Sequence, residues 1–207
     1  MHIIRITYGE TVLPESMVVP GGDRNKQLPI ILSVFLVQDG TRNILVDAGC
    51  EDLPGFELKN FRPAVAALKE MGVEPEQITD VIITHVHHDH VQCVKYFPHA
   101  RVWVQQQEFD RAPHYFEANA HITTFREEVA VAEGIRAVKI GGHTTGSCVV
   151  ECEMDGKIYV LCGDACYCRW NLEHRIPTAS SKFPEDSMAF IRKYTCDPYV
   201  CLLCHDA

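Results

Sequence analysis

His85-Val86-His87-His88-Asp89-His90 follows directly on the β-branched run Asp80–Thr84, and this junction decides how the chain is read. At this chain's histidine frequency, the pattern H-x-H-x-D-H arises by chance at about one start in 10^5. His85 and His87 are two apart in extended backbone, so their side chains point the same way. Asp89 and His90 follow as the chain turns and reach a neighbouring position. Imidazoles and a carboxylate packed at a strand end are a metal-binding set rather than a solvated loop.

Three more apolar runs end the same way. Ile135–Ile140 leads to Gly141-Gly142-His143, Lys157–Cys162 to Gly163-Asp164, and Tyr199–Leu203 to Cys204-His205. Polar groups at the ends of rigid strands are how layered folds assemble sites. Around these runs the pattern predicts strands over Ile30–Gln38 and Thr41–Val46, joined at Asp39-Gly40, and over Ala100–Val104. A second hairpin joins Cys148–Met154 to Lys157–Cys162 at Asp155-Gly156. Helices are predicted over Asn60–Met71, Gln105–Phe116 and Pro184–Tyr194, the last with Ser181 as a cap. Strands interleaved with helices predict an α/β layered sandwich, in a single domain spanning 1–207 with no low-complexity tract or linker.

Composition bounds the function. The 207 residues are 46% hydrophobic and 23% charged, with a formal net charge of -9. An acidic chain argues against nucleic acid and anionic lipid as partners, although a local basic pocket stays compatible with it. The longest apolar run, Ile30–Val37, is strand-sized, far short of the roughly 20 residues of a membrane span. The N-terminal MHIIRITYGE lacks the basic start and long apolar stretch of a signal peptide, so the expected location is cytoplasmic. The ten cysteines read first as reduced, buried thiols, several of them inside strand-like runs. The pairs Cys166/Cys168 and Cys201/Cys204 offer a second reading as a thiolate metal or redox site.

The motifs in their order resemble the metallo-β-lactamase superfamily, from Leu45-Val46-Asp47-Ala48-Gly49 to the final Cys204-His205-Asp206. Gly142-His143-Thr144-Thr145-Gly146-Ser147 is similar to that family's G-H-T-x-G-S turn, and Gly163-Asp164 to its G-D element. The resemblance implies a four-layer αββα sandwich. It implies His85, His87 and His143 as ligands of one metal, Asp89, His90 and His205 as ligands of a second, and Asp164 as the bridge. Asp47 would orient a ligand imidazole. It implies two divalent cations, zinc first with iron or manganese as substitutes, and a bridging hydroxide that attacks an electrophilic carbonyl while Asp89 handles the proton.

Within the superfamily, Gly163-Asp164-Ala165-Cys166-Tyr167 is similar to the D-A-S-Y element of N-acyl homoserine lactonases. Tyr167 would then donate to the lactone carbonyl, and the substrate would be a small ester or lactone. Phe56, Phe61, Tyr115 and Phe116 are candidates to line its pocket, while His114 and His121 read as surface groups. His88 holds a position that is commonly apolar in lactonases. A flavodiiron protein would carry Glu in place of His87. The alternatives are a glyoxalase-type thioesterase, for whose C-terminal helical domain the residues after His205 leave no room, and a mononuclear-iron oxidoreductase of the persulfide dioxygenase kind.

Overall fold

The computed structural model describes residues 1–207. Six strands form one sheet in the order β1 (His2–Pro14), β2 (Gln27–Gln38), β3 (Asn43–Val46), β4 (Asp80–Ile83), β5 (Arg101–Gln105) and β6 (His121–Phe125). The first three pair antiparallel, and β3 to β6 run parallel. A second sheet holds β7 (Glu128–Ala132), β8 (Ile135–Lys139), β9 (Cys148–Met154), β10 (Lys157–Leu161) and β11 (Tyr199–Leu202). Its order is β11-β10-β9-β8-β7, antiparallel except for the β10–β11 pair.

Alternation along the strands sorts the side chains into layers. On β2, Phe35 and Val37 face the second sheet, packing with Ile82 of their own sheet against Ala137, Val150 and Leu161 of the other. Val34 and Leu36 face outward onto Ala64, Ala67 and Leu68 of the helix Ala64–Glu70. On the far side, Val149 and Val160 pack against Phe190, Ile191 and Tyr194 of the helix Pro184–Tyr194. The result is a four-layer αββα sandwich. Every side chain of Val81–Ile83 is completely buried, which is why that short run reads so clearly as a strand. No helix is long and apolar enough to cross a membrane.

Element ends depart from expectation for local reasons. The helix expected over Asn60–Met71 spans only Ala64–Glu70. Asn60 has φ 47°, and Pro63 holds the preceding residue out of helical geometry. The helix expected over Gln105–Phe116 stops at Arg111, because Ala112, just before Pro113, takes φ -144° and ψ 57°. Ser181 does not cap the last helix. Phe183 stands at its N-cap, Pro184 opens it, and Ser181 Oγ bonds Ser187 Oγ at 2.6 Å instead. The Asp155-Gly156 hairpin is as read, with both residues at positive φ. The Asp39-Gly40 connection is longer than expected: Asp39 Oδ1 accepts from Arg42 N at 3.0 Å, and β3 starts at Asn43 rather than Thr41.

Candidate metal centre

Both sheets deliver their polar residues to one end. Parallel strands β3 and β4 release Asp47 and the His85–His90 segment at their carboxyl ends. β8, β10 and β11 release His143, Asp164 and His205 from the other sheet. Carboxyl ends of parallel strands are where open α/β sheets build sites.

All seven residues expected as ligands converge there in two groups. In the first, His87 Nδ1 lies 3.0 Å from His85 Nε2 and 2.8 Å from His143 Nε2. Asp164 Oδ2 lies 3.5 Å from His85 Nε2 and 3.2 Å from His143 Nε2. In the second, Asp164 Oδ1 lies 3.0 Å from both His90 Nε2 and His205 Nε2, and those two nitrogens are 3.4 Å apart. Asp89 Oδ2 stands 3.7 Å from each of these two nitrogens. One carboxylate therefore turns an oxygen toward each group. Cys204, read from the sequence only as half of a Cys201/Cys204 thiolate pair, stands with the second group: its sulfur lies within 4.8 Å of the His90, Asp164 and His205 donor atoms.

Burial and the close packing of imidazoles around one carboxylate set the electrostatics. Burial drives the His85 imidazole well below its usual range, and His90 and His143 push it further; burial likewise takes His87 down to about 4. Burial works against the charge on His90 as well, yet Asp164, Asp47 and Asp89 carry it well above normal. Burial also opposes ionisation of Asp164, but four surrounding imidazoles hold its carboxyl well below the carboxylate range. Several ring nitrogens within hydrogen-bond distance of one another cannot all carry protons, and His143 Nδ1 is buried without a partner. The residues present fit a pair of divalent cations, with imidazole and carboxylate donors that suit zinc, iron or manganese.

A layer of supporting contacts fixes the donors. Asp47 Oδ2 lies 2.7 Å from His90 Nδ1, and its Oδ1 accepts from Thr84 N at 2.8 Å. Thr84 Oγ1 reaches on to His85 Nδ1 at 3.2 Å, and His205 Nδ1 bonds the Ile31 carbonyl at 2.8 Å. Two supports escaped the sequence reading. Buried Glu108 accepts from Val86 N at 3.0 Å, Gly146 N at 2.9 Å and Thr144 Oγ1 at 2.7 Å, tying the two histidine loops together. A Cβ at Gly146 would come within 2.3 Å of Gln105 Oε1 and 2.9 Å of Glu108 Cγ, so a side chain there would displace both. Tyr8 donates to the Asp89 carbonyl at 2.9 Å. Neither Glu108 nor Tyr8 lies in a motif, and only the fold brings them to the loops.

A cavity of about 120 Å³ opens onto Asp89, Asp164, His87 and His205, with Leu13, Met17, Ile30, Leu53 and Phe56 on its walls. Tyr167 lines it too, its ring 5.5 Å from that of His205. Burial and the nearby Asp164 keep the Tyr167 phenol well above its ordinary pKa, hence protonated. Of the aromatics expected around a substrate, only Phe56 faces this cavity. Phe61 packs edge-on to Tyr8, Phe116 is buried in the core, and Tyr115 OH meets His88 Nδ1 at 3.2 Å. His88 is no part of either donor group and bonds Asp52 Oδ1 at 2.9 Å. His114 and His121 are exposed, as expected. All ten cysteines are free thiols. Cys166 and Cys168 form no joint site, because each gives its proton to a separate acceptor: Cys168 O at 3.2 Å and Asn171 Oδ1 at 2.9 Å.

The metallo-beta-lactamase superfamily profile matches residues 29–169, more than half of the chain. The chain belongs to the metallo-beta-lactamase superfamily. Among its relatives, the N-acyl homoserine lactonase AiiB of Agrobacterium fabrum is 25% identical over 187 residues, covering 71% of this chain and 67% of the relative. An N-acyl homoserine lactonase of a Bacillus species is 31% identical over 124 residues, covering 56% of this chain; the match spans 49% of that relative's length. The fold matches an N-acyl homoserine lactone hydrolase solved with N-hexanoyl-L-homoserine at its catalytic metal centre, at TM-score 0.86 and 21% identity. That match covers 99% of this chain and 92% of the other. AidC, a dizinc quorum-quenching lactonase, matches at TM-score 0.80 and 15% identity, covering 99% and 87%.

Proposed function

We propose that this superfamily member is a metallo-hydrolase that cleaves an ester bond, with a lactone as its substrate. The observation that carries the reading is the split carboxylate of Asp164, one oxygen facing each donor group, at the floor of a partly apolar cavity. The similar lactonases support the substrate class.

His85, His87 and His143 would hold one cation, and Asp89, His90 and His205 the other, with Asp164 between them; zinc is the favoured metal. Bound there, two divalent cations would acidify a shared water and polarise the carbonyl oxygen. The chain's residues do the rest. The Asp89 carboxylate, beside the second group and lining the cavity, accepts a proton from the attacking water on the oxygen not given to the cation. Water oxygen bonds to the acyl carbon, the acyl–oxygen bond of the ring breaks, and Asp89 returns that proton to the leaving alkoxide. The product is a hydroxy acid. Tyr167, held as a phenol, donates to the carbonyl oxygen as charge builds there, a contribution of a few kcal/mol in comparable sites. Leu13, Met17, Leu53 and Phe56 take up an apolar substituent of the ring.

A panel of lactones, thioesters, phosphodiesters and β-lactams, assayed with metal-loaded protein, tests the proposal. Lactone turnover is expected, and Tyr167→Phe should slow it while keeping the bound metal. Thioester or phosphodiester turnover without lactone turnover would overturn it. The complete second donor group weighs against a single-iron oxidoreductase, which needs only the first.

A further inference from the structure

Cys204 is a buried thiol that the proposed hydrolysis does not use, and it lies inside the second donor group. Donor atoms of His90, Asp164, Cys204 and His205 all fall within 4.8 Å of one another, and all four residues are buried. Asp164 Oδ1 is 3.0 Å from each imidazole Nε2, those nitrogens are 3.4 Å apart, and Cys204 Sγ is 4.0 Å from Asp164 Oδ1. Zinc-type bonds of about 2.0–2.3 Å give tetrahedral edges of about 3.3–3.8 Å. The imidazole pair at 3.4 Å falls inside that span, the 3.0 Å contacts of Asp164 Oδ1 lie just under it and the 4.0 Å contact of the sulfur just over it, so a small adjustment brings the four atoms into one coordination sphere.

The sulfur is also held in place. Ser33 Oγ donates to the Cys204 carbonyl at 2.5 Å, and the next residue is fixed by His205 Nδ1 on the Ile31 carbonyl at 2.8 Å. Other buried thiols turn to lone backbone carbonyls, such as Cys162 to Val160 O at 3.2 Å and Cys148 to Ile83 O at 3.5 Å. Cys204 reaches Gly163 O at 3.4 Å and, with it, the carboxylate that joins the two groups.

We propose that Cys204 supplies a thiolate to the cation in the second position, beside His90, His205, Asp164 and Asp89. The proposal rests on the two-cation reading above. Binding displaces the thiol proton to solvent as the sulfur–metal bond forms. A thiolate makes this position softer than the first, so it should prefer zinc, cobalt(II) or iron(II) over manganese or magnesium.

Cobalt(II) titration of the metal-stripped protein tests this. In wild type, a near-ultraviolet thiolate-to-cobalt charge-transfer band should grow with the second equivalent. It should vanish in Cys204→Ser and Cys204→Ala and persist in Cys196→Ser, which alters an exposed thiol. Competition with a chelator should show the second equivalent held about 10–100-fold more weakly in Cys204→Ser. Two equivalents bound by wild type without the band, or a band unchanged in Cys204→Ser, would overturn the thiolate and leave the two-cation reading standing. Uptake of a single equivalent by wild type would overturn both.

Discussion

The carboxylate of Asp47 lies 2.7 Å from Nδ1 of His90 and holds that ring so that Nε2 faces Asp164. The same carboxylate takes two hydrogen bonds from Thr84, whose hydroxyl continues to His85. One buried acid thus orients a donor in each group. Asp47→Asn keeps the shape but loses the acceptor that fixes the ring. Metal affinity should fall about 10–100-fold, read by chelator competition, with little change in far-ultraviolet circular dichroism. Unchanged affinity would show that His90 is oriented without Asp47.

Glu108 should matter without touching substrate. Its carboxylate serves three donors from two loops, and Gln supplies only one acceptor oxygen with a donor amide beside it. Glu108→Gln should cost about 2 kcal/mol of stability, because a buried N–H is left unpaired. It should also weaken metal binding, measured as a smaller metal-induced rise in Tm. If the metal-induced rise matched wild type, the loops would be held by other contacts.

How much of this was legible depended on the kind of residue. Val81–Ile83 and the Asp155-Gly156 hairpin declare themselves through full burial and paired positive φ. The edge strands β6 and β7 did not: His121–Phe125 mixes polar and apolar residues without clean alternation, and Glu128–Ala132 is a short run with two alanines and only two larger apolar residues. The seven residues that converge at the strand ends were legible because few residue types bind metals, and here they follow directly on apolar runs. Glu108 and Tyr8 were not, since they act on backbone groups of loops that only tertiary folding brings near. The environment of Cys204 was hidden for the same reason: adjacency to His205 does not say where a sulfur points.

Away from the centre, pH dependence should follow Glu151, which accepts from Tyr194 OH at 2.6 Å, Arg136 Nε at 2.8 Å and Lys193 Nζ at 3.2 Å. Burial raises its pKa, but these three donors outweigh it and bring the carboxyl below its ordinary 4.5. The folded protein then binds this proton less readily than the unfolded chain. Its stabilisation is complete above that ordinary value and is lost as pH falls through the lower, folded one. In acid titrations of the metal-free protein, wild type should lose stability in this window more steeply than Glu151→Gln, which starts about 2 kcal/mol lower at neutral pH. Parallel curves would place the acid sensitivity elsewhere.

Phe56 and Leu53 reach the cavity from one loop, and His88 ties that loop to the histidine motif through Asp52. Phe56→Ala should raise KM for lactones with long apolar substituents several-fold more than for the unsubstituted ring, with metal content unchanged. A uniform fall in kcat across chain lengths would remove Phe56 from substrate binding.

The most direct test is metal stoichiometry by elemental analysis, on wild type and on Asp164→Ala, after reloading and removal of free ions. Two cations per chain in wild type, falling to one or none when Asp164 is lost, is the predicted result. A wild-type chain that saturates with one cation, or an Asp164→Ala variant that keeps two, would contradict it.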